Sequence, residues 1–148
     1  MRIRPVAAAD APAVNELLAQ LGYPQDGPAA TAARIQRWGE DPAGAAYVAD
    51  DDGDVLGLIA VHISPFFERS GCWARIVALV VSDQARGQGV GGQLVAAAES
   101  FAASRDCVRM EVTSADRRQD AHAFYQRRGY TIQTGLSERF LRDLVAGG

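Results

Sequence analysis

The sequence predicts a mixed α+β fold, in which a mostly antiparallel sheet contains one parallel crossover and carries helices on both faces. A central observation is that a strand, a glycine-rich turn, a helix and another strand follow one another between residues 72 and 113. A second is the aspartate-rich turn at residues 50–54, which joins two strand-like runs. The whole predicted order is β-α-α-β-β-β-α-β-α-β-β, whereas a doubly wound fold alternates strands and helices throughout.

The first part of the chain is predicted to form a strand and two helices. Residues 2–6 alternate charged and apolar side chains, as a half-buried strand does. In the helix that follows, Asp10 is the candidate N-cap, Pro12 lies in the first turn and Gly22 ends the helix. Residues 28–38 form a second, weaker helix. The apolar stripe of the first helix consists of Val14, Leu17, Leu18 and Leu21.

Three strand-like runs follow, at residues 45–49, 55–63 and 72–81. Gly53 lies within a run of aspartates, so the first two runs are predicted to form a hairpin, and the turn lacks the ligand spacing of a calcium loop. Residues 64–71 form a loop with two adjacent aromatic side chains. The third run is almost wholly apolar, which indicates a central strand covered on both faces.

The last part of the chain begins with a helix after the glycine-rich turn. A strand at residues 107–113 is expected to lie parallel to the central strand, because a connection through a helix joins parallel strands. Residues 116–128 form the last helix, which Gly129 stops, and residues 130–133 and 138–144 are predicted as closing strands. The apolar stripe of the helix after the turn consists of Val90, Leu94, Ala97, Ala98 and Phe101.

Composition and charge favour one soluble cytoplasmic domain spanning residues 1–148. The hydrophobic content of 48% and the charged content of 22% are typical of globular domains. A net charge of −3 gives no basic field for nucleic acid or an anionic membrane. Cys72 and Cys107 lie far apart in the sequence without metal-ligand spacing, which indicates reduced thiols and no metal site. The sequence shows no signal peptide and no transmembrane run.

The glycine-rich turn carries the strongest functional signal. Gly87, Gly89, Gly91 and Gly92 remove side chains where the first N–H groups of a helix have no partner. The positive end of the helix dipole favours an anion there. The turn therefore predicts a site for a phosphate or pyrophosphate.

Two families of site use such a turn. Gly87, Gly89 and Gly92 also satisfy the dinucleotide-binding pattern, and Glu111 lies roughly where its ribose-binding acid belongs, about 20 residues on. Residues 82–86 nevertheless separate the strand from the first glycine, whereas a dinucleotide fold has almost no such spacer.

A different spacing in the same turn fits better. The pattern Arg86-x-x-Gly89-x-Gly91 resembles the [Gln/Arg]-x-x-Gly-x-[Gly/Ala] pyrophosphate loop of the GNAT family of acyl-CoA-dependent N-acetyltransferases. Residues 121–130 resemble the A-x-x-F-Y-x-x-x-G-[FY] stretch of that family, and the order of elements resembles its fold. The resemblance implies a centrally splayed sheet, acetyl-CoA as cosubstrate and a primary amine of a small molecule or protein as acceptor. A homodimer stays open.

The resemblance also implies roles for individual residues. Tyr125 stands at the position of a general acid for the thiolate, and a phenol with a pKa near 10 is protonated at neutral pH. The alternative is that Tyr125 packs against the cofactor beside Phe124. Arg118 stands where the family commonly has Asn, and it could reach a cofactor phosphate. The implied cofactor-binding residues are Leu79, Val80, Val81, Arg86, Gly87, Gln88, Gly89, Val90, Gly91, Gly92, Arg118 and Phe124.

The sequence leaves the general base open. Many relatives place a Glu on the central strand, but the corresponding position here is apolar, at about Val77. Glu111, His62 and Glu68 are the candidates, although a histidine that is merely hydrogen-bonded on a sheet face is the more common arrangement for His62. The missing Glu keeps a non-catalytic acyl-CoA-binding or regulatory module as the alternative function, and a dinucleotide-dependent enzyme as a third.

The loop before the central strand is the candidate acceptor site. Phe66, Phe67 and Glu68 place two rings beside a carboxylate, which could bind a cationic amine. An ordinary solvated loop is the alternative reading of the same residues.

Overall fold

The computed structural model describes residues 1–113, 119–137 and 139–145, and the chain divides into two compact units, Met1–Thr113 and Ser114–Gly148. The first unit contains a five-stranded sheet in the order β1-β2-β3-β4-β5, antiparallel except for the parallel pair β4–β5. The predicted mixed α+β class and its parallel crossover are confirmed. The elements of the first unit are β1 (Arg2–Pro5), α1 (Ala11–Leu21), α2 (Pro28–Glu40), β2 (Gly44–Asp51), β3 (Asp54–Pro65), β4 (Cys72–Val81), α3 (Val90–Ser104) and β5 (Cys107–Val112).

Helices cover both faces of this sheet. Leu58 of β3 packs in one core with α1, while its neighbour Gly57 faces α3, because successive residues of a strand point to opposite faces. A Cβ atom at Gly57 would lie 2.9 Å from Leu94 Cδ1, so glycine permits the close approach of α3. The core on the α1 face consists of Val14, Leu17, Val48, Leu58 and Val80.

The start of α1 differs from the expectation. A short 3-10 turn, Ala8–Asp10, precedes the helix, and Asp10 makes no side-chain cap to it. The Asp10 carboxylate instead accepts two hydrogen bonds of 2.8 Å from Arg4, which lower its pKa, and one of 2.7 Å from the Ala7 N–H. Asp10 is the N-cap residue of α1 as predicted, but its carboxylate makes no cap to the helix; Gly22 ends the helix in the left-handed conformation as predicted.

The aspartate-rich turn forms the predicted hairpin. Asp52 and Gly53 both have positive φ, at 51° and 93°, as a two-residue type I′ turn requires.

The strand β4 is less completely buried than predicted. Val77 in β4 is 49% exposed, so the expectation that both faces of this strand are covered is wrong at its middle.

The second unit contains α4 (Gln119–Arg127), and the predicted start of this helix at residue 116 lies outside the described residues. Residues 130–137 and 139–145 contain no strand, so the two predicted closing strands are wrong there; Glu138 is also outside the described residues. A short apolar pattern becomes a strand only where it packs on a sheet, and Leu136, Phe140 and Leu144 are 77%, 91% and 88% exposed.

Candidate active site

The glycine-rich turn begins with a short anchor to the core. After β4, a 3-10 turn places Ala85 in the interior, and the Asp83 N–H donates a 3.0 Å hydrogen bond to Gln20 Oε1 of α1. Gly87 and Gly89 then have φ of 81° and 79°, a conformation that L side chains rarely adopt. A Cβ atom at either glycine would meet nothing within 4 Å, so the turn is open to a ligand.

The helix that follows this turn has a free N-terminus. Gly89 is its N-cap residue, and no side chain of the described residues caps it. The Gln93 N–H donates the first hydrogen bond of the helix, to the Gly89 carbonyl. The N–H groups earlier in the turn therefore have no carbonyl of the preceding helical turn to bond to. Free N–H groups at a helix N-terminus form a site for a phosphate group.

Arg86 adds a positive charge beside the turn. Its Nη2 lies 3.0 Å from Asp83 Oδ1, and both side chains are mostly exposed, at 70% and 65%. An exposed ion pair of this kind contributes at most about 1 kcal/mol, so the guanidinium can exchange Asp83 for a phosphate at low cost. Its predicted phosphate contact stays a prediction.

The sheet opens beside this turn. The register of β3 on β4 shifts between Ala60 and Val61, which leaves Val77 as the extra residue of a β-bulge. Pairing of β4 with β5 ends at Ile76↔Val112, although β4 continues to Val81. Within residues 1–113, the last part of β4 therefore has no strand on its β5 side, which is the predicted splay.

The hydrogen-bond alternation identifies which residues face this free edge. The Ser82 N–H donates to the Leu56 carbonyl at 2.8 Å, and in an antiparallel ladder bonded and non-bonded pairs alternate. The backbone polar groups of Val80 therefore point to β3, whereas those of Leu79 and Val81 point away from it. The prediction that all three present backbone to a cofactor is corrected for Val80, whose side chain is also buried in the core.

A polar row crosses three strands where the splay begins. His62 pairs with Arg75, and Arg75 pairs with Glu111, so the three side chains share one face of the sheet. Arg75 Nη2 donates a 3.0 Å hydrogen bond to the Thr113 hydroxyl, and Arg75 makes no ion pair with a carboxylate of the described residues. The row lies one residue before Ile76, which forms the last β4–β5 pair, with Val112.

His62 has a carboxylate partner. Its Nε2 lies 3.0 Å from Asp41 Oδ2, and the Trp38 ring contacts the imidazole edge-on at 5.9 Å between centroids. The hydrogen bond with His62 is the main cause that lowers the pKa of the Asp41 carboxyl, followed by the bond from the Ala43 N–H. No local sequence pattern predicts this pair, because Asp41 reaches His62 only through the packing of α2.

Two arginines contact an aromatic ring of the predicted acceptor loop. The guanidinium carbons of Arg69 and Arg109 lie 4.2 and 5.4 Å from the centroid of the Phe66 ring. Phe67 is fully exposed and Glu68 is exposed, with no ion pair to a described residue. The Phe66 ring that was predicted to bind a cationic amine is thus already in contact with cations.

The two cysteines, which are distant in the sequence, meet in the fold. The β4–β5 register pairs Cys72 with Cys107, and their sulfur atoms lie 3.3 Å apart. Burial, and then the hydrogen bond with Cys72, raise the pKa of Cys107 to about 11, so this thiol stays protonated at neutral pH. Among the described residues, no group of His, Cys, Asp and Glu could hold a metal ion.

The acetyltransferase (GNAT) family matches residues 12–130. The chain belongs to this family. Enzymes of the family take an acetyl group from acetyl-CoA, and homologues transfer it to an amine. That the glycine-rich turn and the free edge of β4 bind the donor stays a prediction.

Individual relatives agree with this assignment. The aminoalkylphosphonate N-acetyltransferase of Salmonella typhimurium is 37% identical over 79 residues, which are 53% of this chain and 51% of that protein. The chain thus matches about half the length of this curated relative. A Bacillus halodurans transcriptional regulator has a similar fold, with a TM-score of 0.83, 24% identity and coverage of 97% and 99% of the two chains. A Trypanosoma brucei acetyltransferase also has a similar fold, with a TM-score of 0.79, 22% identity and coverage of 97% of this chain and 99% of that chain.

The second GNAT motif lies in the second unit. Phe124 and Tyr125 contact each other edge-on at 5.1 Å, and the Tyr125 ring also contacts Tyr130 at 5.7 Å. Gly129 ends the helix with φ of 87°, as predicted. Arg128 lies 3.7 Å from the centroid of the Phe124 ring. The roles of Phe124 and Tyr125 stay predictions, and Arg118 lies outside the described residues.

No helix among the described residues is long and apolar enough to cross a membrane.

Proposed function

We propose that this GNAT domain transfers the acetyl group of acetyl-CoA to the primary amine of a small molecule that also carries an anionic group, such as a phosphonate or carboxylate. The observation that carries this choice of acceptor is the position of Arg75 at the point where β4 and β5 separate. The Salmonella relative, which by its name acts on aminoalkylphosphonates, supports the same chemical class.

Arg75 suits an acidic group for electrostatic and geometric reasons. Its side chain is half-buried, and its one hydrogen bond among the described residues goes to the neutral Thr113 hydroxyl. A guanidinium has five N–H donors in a planar fork, which matches two oxygens of a phosphonate or carboxylate. An acceptor held there has its amine close to the free edge of β4.

The donor side of the proposal uses backbone groups. The pyrophosphate lies on the N–H groups between Gly87 and Gly92, with Gln88 and Val90 contributing backbone and Arg86 contributing charge. The pantetheine arm pairs with Leu79 and Val81. Phe124 and Arg118 are proposed as further contacts to the cofactor.

The reaction then proceeds through deprotonation of the amine, attack on the thioester and collapse of the intermediate. The acceptor ammonium loses one proton, and the neutral amine attacks the thioester carbonyl to give a tetrahedral intermediate. N–H groups on the free edge of β4 stabilise its oxyanion. When the intermediate collapses, the C–S bond breaks and Tyr125 protonates the departing thiolate of CoA, while the attacking nitrogen loses its second proton to form the amide, and that proton replaces the one that Tyr125 gave.

The proposal places this chemistry in the cytoplasm, where thiols such as Cys72 and Cys107 stay reduced. The proposed acceptor is a small molecule, and neither a nucleic acid nor a membrane is a proposed partner. A homodimer stays open, and sedimentation analysis of the purified protein distinguishes it from a monomer.

The test is a panel of amines assayed with acetyl-CoA by release of free thiol. The panel contains 2-aminoethylphosphonate, β-alanine, propylamine, spermidine and a lysine peptide. We expect the two anionic amines to give the highest kcat/KM, and Arg75→Gln to reduce kcat/KM for them by about 10- to 100-fold, since a hydrogen bond to a charged group contributes about 1.5–3 kcal/mol. Arg37→Gln, an exposed arginine of α2, is the matched control.

A preference for spermidine or the lysine peptide would contradict the anionic acceptor. Tight CoA binding without turnover of any amine would instead support the non-catalytic acyl-CoA-binding module, which the apolar Val77 at the bulge favours.

A further inference from the structure

We propose that His62 accepts the proton of the acceptor ammonium and that Asp41 is a positioning residue that orients the imidazole. This inference rests on the proposed function, because it concerns the proton step of the same amine transfer. The observation behind it is the carboxylate–imidazole pair at the beginning of the splay.

Contacts on two sides fix the imidazole. Asp41 directly follows α2, and its Oδ1 accepts a 2.9 Å hydrogen bond from the Ala43 N–H while its Oδ2 lies 3.0 Å from His62 Nε2. The Trp38 ring packs edge-on against the imidazole at an interplanar angle of 70°. Both members of the pair remain partly exposed, at 39% for His62 and 46% for Asp41, so a small amine can reach the ring.

The hydrogen bond between His62 and Asp41 decides which ring nitrogen accepts the proton. When the Nε2–H donates to Asp41, the other nitrogen, Nδ1, carries the lone pair and is the proton acceptor. The low pKa of Asp41 keeps its carboxyl ionised, so it stabilises the imidazolium that forms and does not take the proton itself. A general base is most effective when its pKa is near the working pH, and ordinary imidazoles meet this condition better than carboxylates.

The position of His62 in the sheet connects it with the reaction. Its partner in β4 is Arg75, the residue proposed to bind the anionic group of the acceptor, and the last β4–β5 pair follows at Ile76. An acceptor held by Arg75 therefore presents its amine next to the imidazole. Glu111 lies on the far side of Arg75 in the same row, so Arg75 separates it from the imidazole.

The charged groups around the imidazole come from four segments of the chain. Asp41 approaches from the end of α2, Arg75 lies beside the ring on β4, and Glu111 is the next residue of the row on β5. Arg105, after α3, donates a 2.6 Å hydrogen bond to the Pro42 carbonyl and so lies next to the segment that carries Asp41. Of these four groups, Asp41 is the one that is hydrogen-bonded to the ring.

The proton balance of the step is simple. The ammonium transfers one proton to Nδ1, which leaves a neutral amine and an imidazolium. The amine attacks the acetyl carbonyl, the C–S bond breaks, and the second proton of the attacking nitrogen replaces the one that Tyr125 gives to the thiolate. The imidazolium returns its own proton to solvent before the next turnover.

The test compares His62→Ala, His62→Gln, Asp41→Asn and the matched control Glu40→Gln, an exposed neighbour of Asp41 on α2. Calorimetric titration with CoA first verifies that each variant is folded and binds the donor. We expect kcat of both His62 variants to fall about 10²- to 10³-fold, as for loss of a general base. Added imidazole should restore part of the His62→Ala rate but leave His62→Gln unchanged.

Asp41→Asn tests the positioning role. We expect a smaller fall in kcat, and the acid limb of the kcat/KM profile should move to lower pH because the imidazolium loses its negative neighbour. Glu40→Gln should keep the parental rate and profile.

Parental turnover in His62→Ala, or a lost rate that imidazole does not restore while Glu111→Gln also abolishes turnover, would overturn the assignment of His62. If the parental protein acetylates no amine of the panel, the proposed function fails before these variants are compared, so the two failures are distinguishable.

Discussion

The two halves of β4 offer a ligand different chemistry. From Leu79 to the beginning of α3, the groups available are backbone N–H donors, and glycines remove the side chains that would cover them. Around Arg75, the groups available are charged side chains from three neighbouring strands. The proposed donor site therefore depends on local backbone conformation, whereas the proposed acceptor site depends on how the strands are paired.

The largest expected effect on CoA affinity is at the backbone half. Gly89→Val places a β-branched side chain at φ of 79° and in the space that the ligand needs, which together cost about 1–3 kcal/mol or more. We expect CoA affinity to fall at least about tenfold in calorimetric titration. Gly71→Val, with φ of 107° at the other end of β4, is the matched control and should keep the parental affinity.

Unchanged CoA affinity in folded Gly89→Val would show that the turn does not hold the cofactor. Binding of NADH in place of CoA would support the dinucleotide interpretation instead.

A change in Tyr125 tests whether the chemistry needs a side chain beyond the two halves of β4. Tyr125→Phe keeps the ring and removes only the phenolic proton, so kcat should fall about 10²-fold, at the lower end for general acids, with little change in CoA affinity. Single-turnover rates at saturating substrate measure this step. A variant with the parental rate, under conditions where chemistry is limiting, would make Tyr125 a packing residue.

The smallest effect is expected at Arg86, where a charge supplements backbone donors. Arg86→Gln should weaken CoA binding only about two- to fivefold, because the exposed guanidinium must first leave Asp83 and exposed charge pairs contribute at most about 1 kcal/mol. The loss should shrink further in high salt. A loss of more than a hundredfold would mean that the side chain, and not the backbone, carries the donor site.

The same contrast explains how far the sequence could predict the molecule. The turn from Gly87 to Gly92 and the crossover from β4 to β5 follow from contiguous residues, and both are present as predicted apart from the orientation of Val80. The pairs His62–Asp41 and Cys72–Cys107 join residues distant in the chain, so no local pattern contains them.

In two places, tertiary contacts change what the sequence alone indicates about a side chain. Asp10 has the residue type and position of an N-cap, but Arg4 on β1 binds its carboxylate instead. Phe66 and Glu68 form a plausible cation site in the sequence, but Arg109 of β5 reaches the Phe66 ring only in the fold. Tertiary neighbours decide the electrostatics of a side chain, while backbone donors at a helix N-terminus are already present in the local structure.

The central claim is that backbone N–H groups hold the acyl donor. Amide nitrogen–proton NMR spectra recorded during titration with CoA test it most directly. We expect the largest shifts at Leu79, Val81 and residues 89–92, with small shifts at Phe67 and Glu68 at the other end of β4. Shifts concentrated in that loop, with the amides of the glycine-rich turn unmoved at saturation, would contradict it.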